Sequence, residues 1–108
     1  MHRLPPALAA TATPRILDLL GEPPARVLEL GFAGIHAPLL RLAGFDVVVV
    51  EPDPAFAARA RERAGAVLPE PPPERFDAVV APAGFDLAAV DAACVVVVAA
   101  DGKASIRE

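Results

Sequence analysis

Gly44-Phe45-Asp46-Val47-Val48-Val49-Val50-Glu51-Pro52-Asp53-Pro54 is the stretch on which the fold of this chain turns. Four consecutive valines are too apolar for a strand with one wet face; they mark a strand covered on both sides, as in a parallel sheet. Glu51 follows the last valine at the strand's end. Asp53 then reads as the N-cap and Pro54 as the first residue of a helix over Ala55 to Ala64, with Gly65 as its stop. Phe56, Ala57, Ala60 and Ala64 share one face of that helix, leaving Arg59, Glu62 and Arg63 for solvent.

Working outward, the same alternation of strand and helix signals repeats. Upstream, Thr13 reads as N-cap and Pro14 as first residue of a helix through Ile16, Leu17 and Leu20 that stops at Gly21. A first strand, Arg26 to Leu30, follows, then the turn Gly31-Phe32-Ala33-Gly34 and a helix over 35–43 with Pro38 in its first turn. Downstream, Ala66 to Leu68 makes a short third strand and 69–74 a proline-rich loop. Phe76 to Val80 forms the fourth strand, Leu87 to Ala92 a brief helix and Cys94 to Ala99 the fifth strand. Residues 1–12 are expected to be a flexible arm and 101–108 a frayed tail on a single domain.

With 108 residues the chain suffices for one core, and lone Cys94 cannot form an internal disulfide, which fits a reducing, cytoplasmic setting. Lys and Arg number 10 against 14 Asp and Glu, with no basic block, so no nucleic-acid footprint is expected. The longest apolar run, Ala92 to Ala100, is half of what a membrane helix needs, and Pro5-Pro6 break the N-terminal one. Ala-x-Ala triplets near residues 7–12 imitate a leader cleavage site in a chain where Ala is everywhere. No Asn, Gln, Tyr or Trp is present, and one Cys with His2 and His36 offers no metal-ligand spacing. Ser105, in the last four residues, is badly placed for a nucleophile.

Right-handed crossovers bring the C-terminal ends of strands one, two and four to one edge, where ligands of such sheets bind. That edge collects the turn Gly31 to Gly34, Glu51, and Ala81-Pro82-Ala83-Gly84. A glycine turn admits a ligand close to the backbone, and an acid 20 positions on can accept from both hydroxyls of a ribose. Taken together they suggest a nucleoside; taken singly, Gly31 also reads as a tight turn and Glu51 as a solvated strand end.

The segments Val27-Leu28-Glu29-Leu30-Gly31, Gly44 to Pro54, Ala60 to Gly65 and Arg75-Phe76-Asp77-Ala78-Val79-Val80 resemble, in order and spacing, those of the class I S-adenosylmethionine-dependent methyltransferases, over about residues 25–100. The resemblance implies a Rossmann-like three-layer α/β domain of about five mainly parallel strands, order 3-2-1-4-5, with helices on both faces. It implies S-adenosylmethionine as cofactor and no metal. Glu29 and Gly31 would belong to the motif around the methionine part, Phe32, Ala33 and Gly34 would complete its turn, Glu51 would hold the ribose, and Pro52 and Asp53 would lie near the adenine.

The departures are specific. Ala33 and Ile35 stand where the family usually has glycine, a gap Gly34 could fill by shifting the turn; the acid after strand three reduces to Glu70; and Ala81 to Gly84 replaces the motif of amino-group methyltransferases. The family's two further strands are missing, so the fifth strand is expected to be an open apolar edge, fit for a homodimer or a partner protein. No general base is recognisable, though methyl transfer relies largely on positioning. His36 reads as a helix residue, Cys94 as a small hydrophobe, Asp77 as a cap or salt link, and Arg59, Arg61 and Arg63 as a solvated face. Two alternatives stand beside the methyltransferase-like reading. One is a non-catalytic interaction module of the same fold; the other is an NAD-binding domain, which would want second and third glycines that the chain lacks.

Overall fold

The computed structural model describes residues 4–107. Its elements are α1 (Pro6–Ala10), α2 (Thr13–Leu20), β1 (Arg26–Leu30), α3 (Ala37–Leu42), β2 (Asp46–Val50), α4 (Pro54–Ala64), β3 (Val67–Leu68), β4 (Arg75–Pro82), β5 (Asp91–Val98) and β6 (Ala104–Arg107). They build one six-stranded sheet in the order β3-β2-β1-β4-β5-β6, parallel throughout except for the antiparallel pair β5–β6. The α/β class, the mainly parallel sheet and the expected order of its first five strands are present.

β2 carries the valine run as read, with Val47 and Val49 packing on one face of the sheet and Val48 and Val50 on the other. α4 follows as its signals require: the Asp53 carboxylate accepts the N–H of Ala55 at 2.9 Å and Gly65 closes the helix at φ 79°. Arg41 of α3 donates to the Ala64 carbonyl at 2.6 Å and to the Val47 carbonyl at 2.9 Å, tying the last turn of α4 to β2. At the opposite end of the sheet Asp77 accepts the backbone N–H of Arg26 at 2.7 Å, and the Arg26 side chain pairs with Asp46 and Glu74. Asp77 is thus the cap expected of it.

Helices cover one face only, which corrects the three-layer expectation. The helical residues Ala9, Ile16, Ala37, Leu40, Ala60 and Ala64 pack in the cluster that also holds Val27, Val47, Val49, Val96 and Val98. The other cluster, with Leu28, Leu30, Val50, Val79 and Ala81, is met by Phe85, Leu87 and Val90 and, among the described residues, by no helix. Crossover handedness places the β3–β4 and β4–β5 connections on that second face. The first is the proline run of 69–74, which lacks the N–H groups a helix needs. The second, residues 83–90, holds no helix, and the expected helix Leu87 to Ala92 is replaced by an irregular crossover and the first residues of β5. There Asp86 accepts the N–H of Ala88 at 2.9 Å in a side-chain turn, and Val90 bonds back to the Leu87 carbonyl at 3.0 Å. Burying Phe85, Leu87 and Val90 on the bare sheet outweighs a short helix with few turns to gain.

Both chain ends differ from expectation within the described residues. Instead of a frayed tail, β6 pairs antiparallel with β5 from Val95↔Arg107 to Val98↔Ala104, so the edge expected to be open is covered. The turn between them is Asp101-Gly102, with Gly102 at φ 85° and Asp101 accepting the N–H of Lys103 at 3.0 Å; an Asp-Gly pair between apolar runs is a strong hairpin signal. Instead of a flexible arm, residues 6–10 form α1, and Ala9 and Ala12 are buried. Thr13 is the first residue of α2 rather than its cap and is itself buried. No helix among the described residues is long and apolar enough to cross a membrane.

Candidate functional site

The parallel strands end where β1 and β4 lie side by side while their connections leave in opposite directions, and the crevice of such sheets opens there. The turn after β1 borders it. Gly31 sits at φ 82°, Ala33 at 51° and Gly34 at 75°, so two of three left-handed positions carry glycine and the third strains an alanine. Three charged side chains clamp this turn. Glu29, in β1 and fully buried, accepts the N–H of His36 and of Ala37, each at 3.0 Å. Glu51, at the end of β2, accepts the N–H of Ala33 at 3.2 Å and of Asp53 at 3.1 Å. Arg63 of α4 donates to the Ala33 carbonyl at 3.0 Å.

Burial decides the electrostatics. Desolvation pushes the Glu29 carboxyl up to about 7, against the pull of its two N–H donors and the more distant Arg41 and Arg63. His36, also without exposed surface, is lowered to about 4 by desolvation. Its Nδ1 lies 2.7 Å from the Thr13 hydroxyl, its ring meets Phe32 edge-on at 4.5 Å, and its Nε2 is buried without a hydrogen-bond partner among the described residues. His36 is therefore a neutral strut between α2 and the turn, not the partly exposed helix residue its sequence suggests.

The eight positions singled out from sequence divide into separate jobs. Glu29 anchors the start of α3 and is sealed from solvent. Gly31 leaves room for Phe85: a Cβ added there would lie inside the van der Waals envelope of that ring. Phe32 and Ala33 are buried in the core. The missing side chain of Gly34 lets the turn approach α4, where a Cβ would stand 3.2 Å from the Ala60 carbonyl oxygen and from the Ala64 Cβ. Asp53 spends a carboxylate oxygen on capping α4. Glu51 and Pro52 line a cleft at the strand ends. It has a volume of about 280 Å³ at the ends of β2 and β3 and is walled further by Ala57, Arg61, Leu68 and Pro69. Phe85, Thr13 and Arg63 were missed as partners of the site, since each acts through contacts distant in sequence. Among the described residues no group of three or more His, Cys, Asp or Glu is placed to hold a metal. Compared with known proteins, the chain matches no family model and no curated protein sequence.

Proposed function

We propose that this chain is a small, methyltransferase-like protein that binds S-adenosylmethionine, with Glu51 as the ribose acceptor. The observation that carries the reading is the cleft at the ends of β2 and β3, whose wall combines Glu51 and Pro52 with the apolar Leu68 and Pro69, suited to the flat face of a base. A carboxylate offers about four acceptor sites. The two backbone N–H groups on Glu51 fix its orientation at the wall of the cleft. The acceptor of the methyl group is not assigned.

An NAD-binding reading has less support for a specific reason. A dinucleotide sets its pyrophosphate on the N–H groups at the start of the helix after the first strand. Here the N–H groups of His36 and Ala37 already donate to the Glu29 carboxyl group, so the donors a pyrophosphate would use are occupied. S-adenosylmethionine carries no phosphate and makes no such demand. With one unpaired Cys94, the reading extends to a cytoplasmic protein.

The non-catalytic reading is favoured by one observation: the Phe85 ring occupies the space beside Gly31, where the resemblance would lay the methionine part of the cofactor. Amide-resolved NMR titration separates the readings. S-adenosylhomocysteine shifting Glu51 and Leu68, and also Gly31 and Gly84, supports a full cofactor site. Shifts confined to Glu51 and Leu68, with adenosine equal to S-adenosylhomocysteine, indicate a nucleoside-binding module without transfer. No shift at Glu51 or Leu68 overturns the proposal.

A further inference from the structure

A second cleft, separate from the one at Glu51, lies between the N-terminal segment, the turn after β1 and α4. It has a volume of about 240 Å³ and is walled by Leu4, Ala9, Phe32, Ile35 and Phe56. No Glu51, Pro52, Asp53 or β4 residue borders it; it touches the turn Gly31 to Ala33 from the helical side. Its size falls just below the roughly 300–1,000 Å³ of sites for drug-sized molecules, so it suits a smaller ligand.

Among the described residues, two cations and no carboxylate line it. Arg59 and Arg63 stand four residues apart on α4, hence on one face, where like charges repel. Among the described residues neither has an acidic group within ion-pair distance. Arg63 uses a single Nη1 contact, to the Ala33 carbonyl, and the Arg59 guanidinium lies over the Phe56 ring at 5.8 Å from its centroid. Each guanidinium has five N–H donors in a planar fork that fits a carboxylate with two parallel bonds. On a chain with net charge -4, two arginines outside any ion pair among the described residues, flanking an apolar cleft, form a local exception to the overall sign.

We infer that this cleft is a binding site for a small amphipathic anion, an organic acid whose apolar body lies against Phe32, Ile35 and Phe56 and whose carboxylate meets Arg59 and Arg63. An anion there removes the repulsion between the two arginines, and the apolar walls supply the burial that an inorganic ion would lack.

The test is amide-resolved NMR titration of the full chain with octanoate, 1-octanol and octylamine, three probes of one body and different heads. Octanoate should shift Phe32, Ile35 and Arg59 and saturate, with 1-octanol at least about tenfold weaker and octylamine weaker still, as the loss of a charge-assisted contact requires. Arg59→Gln, which breaks no hydrogen bond that Arg59 makes to the described residues, should weaken octanoate by about tenfold and leave 1-octanol unchanged. Equal affinity for octanoate and 1-octanol, unchanged octanoate affinity in Arg59→Gln, or octanoate shifts elsewhere on the protein would overturn the inference. Binding of S-adenosylhomocysteine at Glu51 should be indifferent to Arg59→Gln, so the two sites fail or stand independently.

Discussion

Glu29 and His36 titrate against each other. In the fold the Glu29 carboxyl ionises near 7 rather than 4.5, and His36 protonates near 4 rather than 6.5. Taken alone, the raised Glu29 favours the folded state at low pH and loses that contribution as pH rises through about 7. Taken alone, the depressed His36 favours it at high pH and loses that contribution as pH falls from about 6.5 through about 4. Between about 4.5 and 6.5 the folded chain carries a proton on Glu29 and none on His36, and the unfolded chain the reverse, so the pair adds no slope. Relative to the parent, Glu29→Gln should therefore gain stability with rising pH across this window and His36→Leu should lose it. Urea midpoints measured at several pH values check this; three parallel curves would refute it. Gly31→Ala should cost about 1–2 kcal/mol from left-handed strain alone, more where the Phe85 ring cannot retreat, and a thermal melt reads the loss. The sequence exposed Glu51 because it ends a valine run, and Ala33, at φ 51°, holds a backbone conformation that favours glycine. It could not expose Phe85, because nothing local ties residue 85 to residue 31.

Elements whose signals are local were legible, and those set by tertiary burial were not. α4 is bracketed by Asp53, Pro54 and Gly65, all acting within a turn of the helix, and it forms as read. The segment around Leu87 has helical composition, yet the open sheet face offers Phe85, Leu87 and Val90 more burial as an irregular crossover. β6 had a local signal in Asp101-Gly102, obscured by the polar residues that follow. Its role makes a prediction at this scale: deleting residues 103–108 uncovers the β5 edge from Val95 to Val98. An apolar edge strand is a template for pairing with another chain. The shortened protein should self-associate in light scattering at concentrations where the intact chain stays at one size. A shortened protein as monodisperse as the intact one would show that β6 is not what guards this edge.

Across the whole molecule, a sheet wound in both directions but clothed with helices on one face concentrates its chemistry at one end. There the turn after β1, the end of β2 and the crossover after β4 converge. The segment order legible in the sequence positioned Glu51 at this convergence, whereas the inward use of Glu29 and the filling by Phe85 depend on packing that no spacing encodes. The central claim is that Glu51 holds the ribose of an S-adenosylmethionine-type ligand, and calorimetric titration with S-adenosylhomocysteine, with NAD as control, tests it most directly. The account predicts saturable heat with S-adenosylhomocysteine and none with NAD, and a loss of at least about tenfold in affinity in Glu51→Gln. That variant keeps the shape of the side chain and removes its charge, and a melt confirms that it is folded. No heat with S-adenosylhomocysteine, or equal affinity in the parent and the folded variant, would contradict it.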